Sequence, residues 1–61
     1  MEVQFQTLDG KIIRSCKSIS QIPNTKDEVK IGEKVYTVIK RQFIFKMNDT
    51  IDKIILTVEL E

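Results

Sequence analysis

The 61-residue chain has no histidine and no tryptophan, and it carries one cysteine, one proline, two glycines and four aromatic residues. Without histidine there is no Cys/His zinc site, no Ser-His-acid triad, no Cys-His nucleophile pair and no imidazole pH switch. Cys16 alone cannot close an internal disulfide, and small secreted folds are normally stapled by several, so the reducing cytoplasm is the expected compartment. No apolar run approaches the ~20 residues needed to span a bilayer, and no membrane partner is expected. The opening MEVQFQTLDG has an acid at Glu2 and neither a basic n-region nor a long apolar h-region, so it does not read as a signal peptide. No stretch repeats apolar residues at helical spacing over three turns, which leaves helix nearly absent. Ten basic residues against nine acidic ones give a net charge of +1. That balance produces no long-range field and lends no support to a partner needing many phosphate contacts; only a local basic patch remains open.

The hydrophobic content is 41% and the charged content 31%, a composition that folds. The organising stretch is EVKIGEKVYTVIKRQFIF, from Glu28 to Phe45, which reads as a hairpin turned at Gly32-Glu33-Lys34. Ahead of it, Glu2 to Thr7 alternates with Val3 and Phe5 on one face. Asp9-Gly10 then supplies the positive-φ positions of a tight turn, and Ile12 to Ser18 forms a second strand. Its facing is mixed, as a bulge or an edge position would make it. Ser18 to Asp27 is a loop containing Pro23, with Ile19 and Ile22 expected to plug one end of the core.

The strand from Lys34 to about Lys46 is long. Tyr36 and Val38 share one parity whereas Phe43 and Phe45 share the other, so a bulge near Lys40-Arg41 is expected to bend it. Lys46 to Asp52 turns the chain, and Lys53 to Leu60 closes the sheet with Ile54, Leu56, Val58 and Leu60 inward. The expected fold is a single all-β domain over residues 1–61. It is a small five-stranded SH3-like or partly open barrel, in up-and-down order, with a strongly bent fourth strand.

No catalytic, cofactor-binding or metal-binding set is expected. The carboxylates fall in turns or on outward strand positions, and a barrel this small has little room for a dry acid–base pair. Asn48 to Asp52 lacks the glycine and distal glutamate of a calcium loop and reads as a turn. Cys16, flanked by Arg14 and Lys17, reads as a small half-buried hydrophobe rather than a reactive thiolate. The most suggestive cluster is Lys40 and Arg41 with Phe43, Phe45 and Lys46, joined by Arg14 and Lys17 if the second strand lies close. Basic residues interleaved with aromatics grip single-stranded nucleic acid, yet a core this small is expected to need both phenylalanines inside. Ile44 and Ile55 are expected to point outward and form an apolar patch suited to a protein partner or self-association.

The pattern IP...D.V.I....Y.V..R.F.F, carried by Ile22, Pro23, Asp27, Val29, Ile31, Tyr36, Val38, Arg41, Phe43 and Phe45, resembles one found in small uncharacterised β-proteins of bacteria and bacteriophages. The resemblance covers the middle 24 residues, and the wealth of Ile and Lys fits an AT-rich, low-GC source. A host-interaction or anti-defence role is what it implies. The expected function is a non-enzymatic binding module acting through protein–protein contacts, recognising a protein partner or itself through an exposed strand edge and an outer isoleucine surface that includes Ile44 and Ile55. The alternatives are a single-stranded nucleic-acid-binding barrel using Arg14, Lys17, Lys40, Arg41 and Lys46, and an oligomer that binds a nucleotide or other small molecule between subunits.

Overall fold

The computed structural model describes residues 2–17 and 19–61. Five strands form one sheet: β1 (Glu2–Gln6), β2 (Ile12–Cys16), β3 (Glu28–Ile31), β4 (Lys34–Phe45) and β5 (Ile51–Leu60). The sheet curls into a half-barrel, an all-β architecture of the small, partly open kind. None of the described residues forms a helix long and apolar enough to cross a membrane.

The strand order is β2-β1-β5-β4-β3, which corrects the expected up-and-down order. β1 and β5 run parallel, and every other neighbouring pair is antiparallel. The reason lies in the apolar alternation. β5 carries the longest inward row, Ile54, Leu56 and Val58, all fully buried, and such a strand is best covered on both sides. β1 docks beside it with Val3 opposite Ile54 and Phe5 opposite Leu56. The strands with the fewest buried side chains, β2 and β3, are left at the edges. Residues 17–27 connect one edge to the other, and Ile19 and Ile22 pack from this loop against the core, as their sequence context implied.

The bend in β4 comes from a register shift between Val38 and Lys40 that leaves Ile39 without a cross-strand partner. One extra residue reverses the facing of everything beyond it. Tyr36 and Val38 before the bulge, and Arg41, Phe43 and Phe45 after it, therefore share the inner face. A second shift, between Phe5 and Gln6, skips Ile13 and resolves the mixed parity of β2, which is also an edge strand. β2 ends at Cys16; Ser18, its expected last residue, lies outside the described residues. β5 begins at Ile51 rather than at Lys53, so the turn before it is shorter than expected.

Two hairpin turns share one design. In the first, the Thr7 N–H donates to the Lys11 carbonyl (2.9 Å) and the Gly10 N–H to the Thr7 carbonyl (2.9 Å). In the second, the Lys46 N–H donates to the Thr50 carbonyl (2.7 Å) and the Asp49 N–H to the Lys46 carbonyl (3.1 Å). Each is a three-residue loop closed by a left-handed residue, Gly10 at φ +89° and Asp49 at φ +68°. Only Gly10, and not Asp9, takes a positive φ in the first turn, which corrects the two-residue reading. Gly32-Glu33 is a two-residue turn with its positive φ, +65°, at the first central position.

Candidate functional site

β1 covers β5 only from Lys53 to Thr57, whereas β4 follows β5 down to the pairing of Phe45 with Ile51. The β4–β5 hairpin therefore outruns the described part of β1, and its last turn is an arm two strands wide. On the inner face of this arm, Phe43 lies opposite Ile54 and Phe45 opposite Ile51. Among the described residues no strand pairs with β4 beyond Thr37 on the side away from β5, and β1 reaches only the Phe43–Ile54 row, through Val3; the rings stay in solvent, Phe43 at 40% and Phe45 at 58% exposure. Met47, at the tip, is fully exposed. This overturns the expectation that both phenylalanines fill the core. The interior is instead filled by Val3, Val38, Ile54, Leu56 and Val58 with Phe5, and only one of these six is aromatic.

Arg41 is the half-buried cation of this face. Its guanidinium carbon sits 5.2 Å from the centroid of the Phe43 ring, within cation–π range. Its Nη1 donates to the Asn24 side-chain carbonyl at 2.7 Å, while Nε is buried with no hydrogen-bond partner. Asn24 is itself fixed. It opens a turn in which the Asp27 N–H donates to the Asn24 carbonyl (3.1 Å) and the Asn24 N–H to the Asp27 carboxylate (2.8 Å). That turn is docked on β4 beside the bulge, by Lys26 N–H to the Val38 carbonyl (2.7 Å) and Val38 N–H to the Asp27 carbonyl (2.9 Å). The fixed turn thus holds the Arg41 guanidinium over the Phe43 ring.

The residues expected to bind are divided by the two faces of the sheet. Lys40 pairs with Thr57, Gln42 with Ile55 and Ile44 with Lys53, and all of these occupy the outer face. Ile44 and Ile55 are half-buried there. Ile55 is flanked by Gln4 on β1 and Gln42 on β4, which interrupts any continuous apolar surface around it. Arg14 falls in the same cross-strand row as Arg41, through Phe5 and Leu56, so three strand spacings, roughly 14 Å along the sheet, separate them. Lys17 follows β2 at that far edge, and Lys46 follows β4 and opens the turn to β5. Among the described residues Arg41 is thus the one member of the basic set placed over an exposed ring.

The sheet edges are defended. This holds for the two edge strands: β3 has four residues with Glu28 and Lys30 exposed, and β2 is bulged and carries the exposed Arg14, devices that discourage added strands, whereas β4 from Ile39 to Phe45 has no strand among the described residues on the side away from β5. The outer face is polar and hydrogen-bonded at both ends. Ser15 donates to the Glu2 carboxylate at 2.6 Å and Gln4 at 3.2 Å, and these bonds, the serine first, hold Glu2 below its ordinary pKa. At the opposite end Thr37 donates to Glu61 at 2.8 Å, and Glu61 shares a hydrogen bond with Glu28 and repels its charge, raising the Glu28 pKa. The inner-face arm is left as a run of exposed large apolar side chains, Phe43, Phe45 and Met47. One signal could have found it: a third strand of four residues cannot cover a fourth strand of twelve.

Comparison with protein-family models, with curated proteins and with solved structures gives no match.

Proposed function

We propose that this chain is a non-enzymatic protein-binding module whose working surface is the inner face of the β4–β5 arm. The observation that carries this reading is the exposure of Phe43 and Phe45, at 40% and 58%, on a chain whose core uses a single phenylalanine. Rigid aromatic side chains beside a guanidinium, held on strands rather than on a loop, are the residue types that dominate protein interfaces. Met47 adds a pliable apolar contact at the tip. The fixed Arg41 lowers the ordering cost of docking, since its position is set before a partner arrives.

A single-stranded nucleic-acid platform is less well supported. Such platforms stack successive bases on open ring faces. Here one face of Phe43 is covered by Arg41, Arg41 is engaged by Asn24, and Lys40 is on the opposite side of the sheet. A single open ring, Phe45, remains.

The test is to place the photo-crosslinking residue p-benzoylphenylalanine at position 45 and, in a separate variant, at position 55 on the outer face. Irradiation in cells is expected to give protein adducts from position 45 and few or none from position 55. Adducts only from position 55, or nucleic acid as the species captured at 45, would overturn the reading.

A further inference from the structure

The two ends of β5 carry surfaces of opposite shape. At its start lies the arm with Phe43, Phe45 and Met47 protruding. At its end the half-barrel is open, and a cleft of about 360 Å³ is lined by Leu8, Tyr36, Val58 and Leu60, with Asp9 and Glu59 also bordering it. Leu8 and Leu60 are exposed large apolar side chains, as Phe45 and Met47 are. Ten residues of strand separate the two ends by about 30 Å, most of the molecule's 37 Å long axis, so one copy cannot bring its own arm to its own cleft.

We propose that the occupant of this cleft is the arm of a second copy of the chain, joined head to tail. The volume is in the range of pockets that hold side chains and small ligands, ~300–1,000 Å³, and its apolar lining suits Phe45 with Met47 beside it. The charges agree. The arm end carries Lys17, Arg41, Lys46 and Lys53 against Glu2, Asp49 and Asp52, a net positive end, whereas the cleft end carries Asp9, Glu28, Glu33, Glu59 and Glu61 against Lys11, Lys30 and Lys34, a net negative one. The Thr7 hydroxyl, followed by the Lys11 N–H, holds Asp9 in its ionised form by hydrogen bonding. The three arm side chains expose roughly 400 Å² of mainly apolar surface, about half of the ~800 Å² per partner of a stable interface, which points to a concentration-dependent assembly rather than a permanent one. A contact between two different patches does not close on itself after one pairing, so the assembly grows into a ring or a filament.

The inference rests on the arm being a protein-binding surface, and the test separates the two. Light scattering is measured on the wild type, on Phe45→Ser, on Leu8→Lys and on an equimolar mixture of the variants, with circular dichroism to confirm that each folds. Leu60→Ser serves as a second cleft variant. The wild type is expected to rise with concentration above its 7.1 kDa monomer mass. Each variant should stay monomeric, and the mixture should reach twice that mass, because one intact arm meets one intact cleft. The association should weaken as salt is raised.

Assembly by the Leu8→Lys and Leu60→Ser variants at the wild-type level would mean that arm pairs with arm, and a monomeric mixture beside an assembling wild type would exclude the cleft; either overturns the inference. A wild type that remains monomeric at every concentration overturns it too. In that case protein adducts from position 45 leave the arm reading standing, and their absence removes both.

Discussion

The three phenylalanines form a graded series in which one substitution, Phe→Ala, samples three degrees of burial. Phe5 is 7% exposed, Phe43 40% and Phe45 58%. With about 200 Å² of surface per phenylalanine and about 25 cal/mol per Å² removed from water, truncation is expected to cost about 4–5 kcal/mol at Phe5. At Phe43, 40% exposed, the same reckoning gives about 3 kcal/mol, and at Phe45, 58% exposed, about 2 kcal/mol. A cavity is left only at Phe5, because solvent fills the space vacated on the arm. A chain of this length is stabilised by about 3–9 kcal/mol in total, so Phe5→Ala should leave it at or beyond the edge of unfolding while Phe45→Ala folds. Urea denaturation followed by circular dichroism reads the series directly, as midpoints falling from Phe45→Ala through Phe43→Ala to Phe5→Ala at similar slopes. If Phe45→Ala costs as much as Phe5→Ala, Phe45 belongs to the core and the arm loses the observation that makes it a binding surface.

The paired hairpin turns give a second prediction: Asp49→Gly should stabilise by about 0.5–1 kcal/mol and Gly10→Ala destabilise by about 1 kcal/mol. A Cβ at Gly10 would meet nothing within 4 Å, so thermal melts of that variant read the cost of the positive φ alone, and an unchanged melting temperature would refute the assignment. The carboxylates predict opposite responses to pH. Glu28 has a raised pKa in the fold, so its contribution is full below the unfolded pKa and is lost as pH rises through the folded value; Glu28→Gln should therefore raise the melting temperature at neutral pH. Glu2 has a lowered pKa, so its contribution is present above the unfolded pKa and lost as pH falls through the folded value; Glu2→Gln should lower the melting temperature at neutral pH. Equal signs for the two variants would contradict the contacts assigned to them. Ile55→Lys, on the outer face, should leave both the fold and any self-association unchanged, which sedimentation would show; lost association would move the binding surface to that face.

Much of the fold is legible because period-two alternation states which residues share a face. The inward rows of β1 and β5, the turns at Gly10 and Gly32, and the parity switch in β4 all follow from it. Strand order does not. Placing β1 beside β5 in parallel is a choice between distant partners, decided by how much apolar surface each neighbour covers, and alternation within one strand is silent on that. The same limit hid the site. Phe43 and Phe45 do face inward, as their parity requires, but β3 leaves β4 at Thr37, well before them, and the described part of β1 reaches no further than the Phe43–Ile54 row. Arg41 was legible as part of a basic and aromatic cluster, whereas its separation from Lys40 follows only from the face each takes beyond the bulge. The distance of Arg14 and Lys17 from the cluster follows from β2 and β4 lying on opposite sides of β1 and β5.

The most direct test of the arm as the interaction surface is a residue-resolved one, the amide chemical shifts of the isotope-labelled chain followed as its concentration is raised. The account predicts shifts or broadening along residues 43–51, with a second set at Leu8 and residues 58–60 where the cleft lies, and an unperturbed outer face at Gln4, Gln42 and Ile55. Perturbation centred on Ile44 and Ile55, with the arm unchanged, would contradict it.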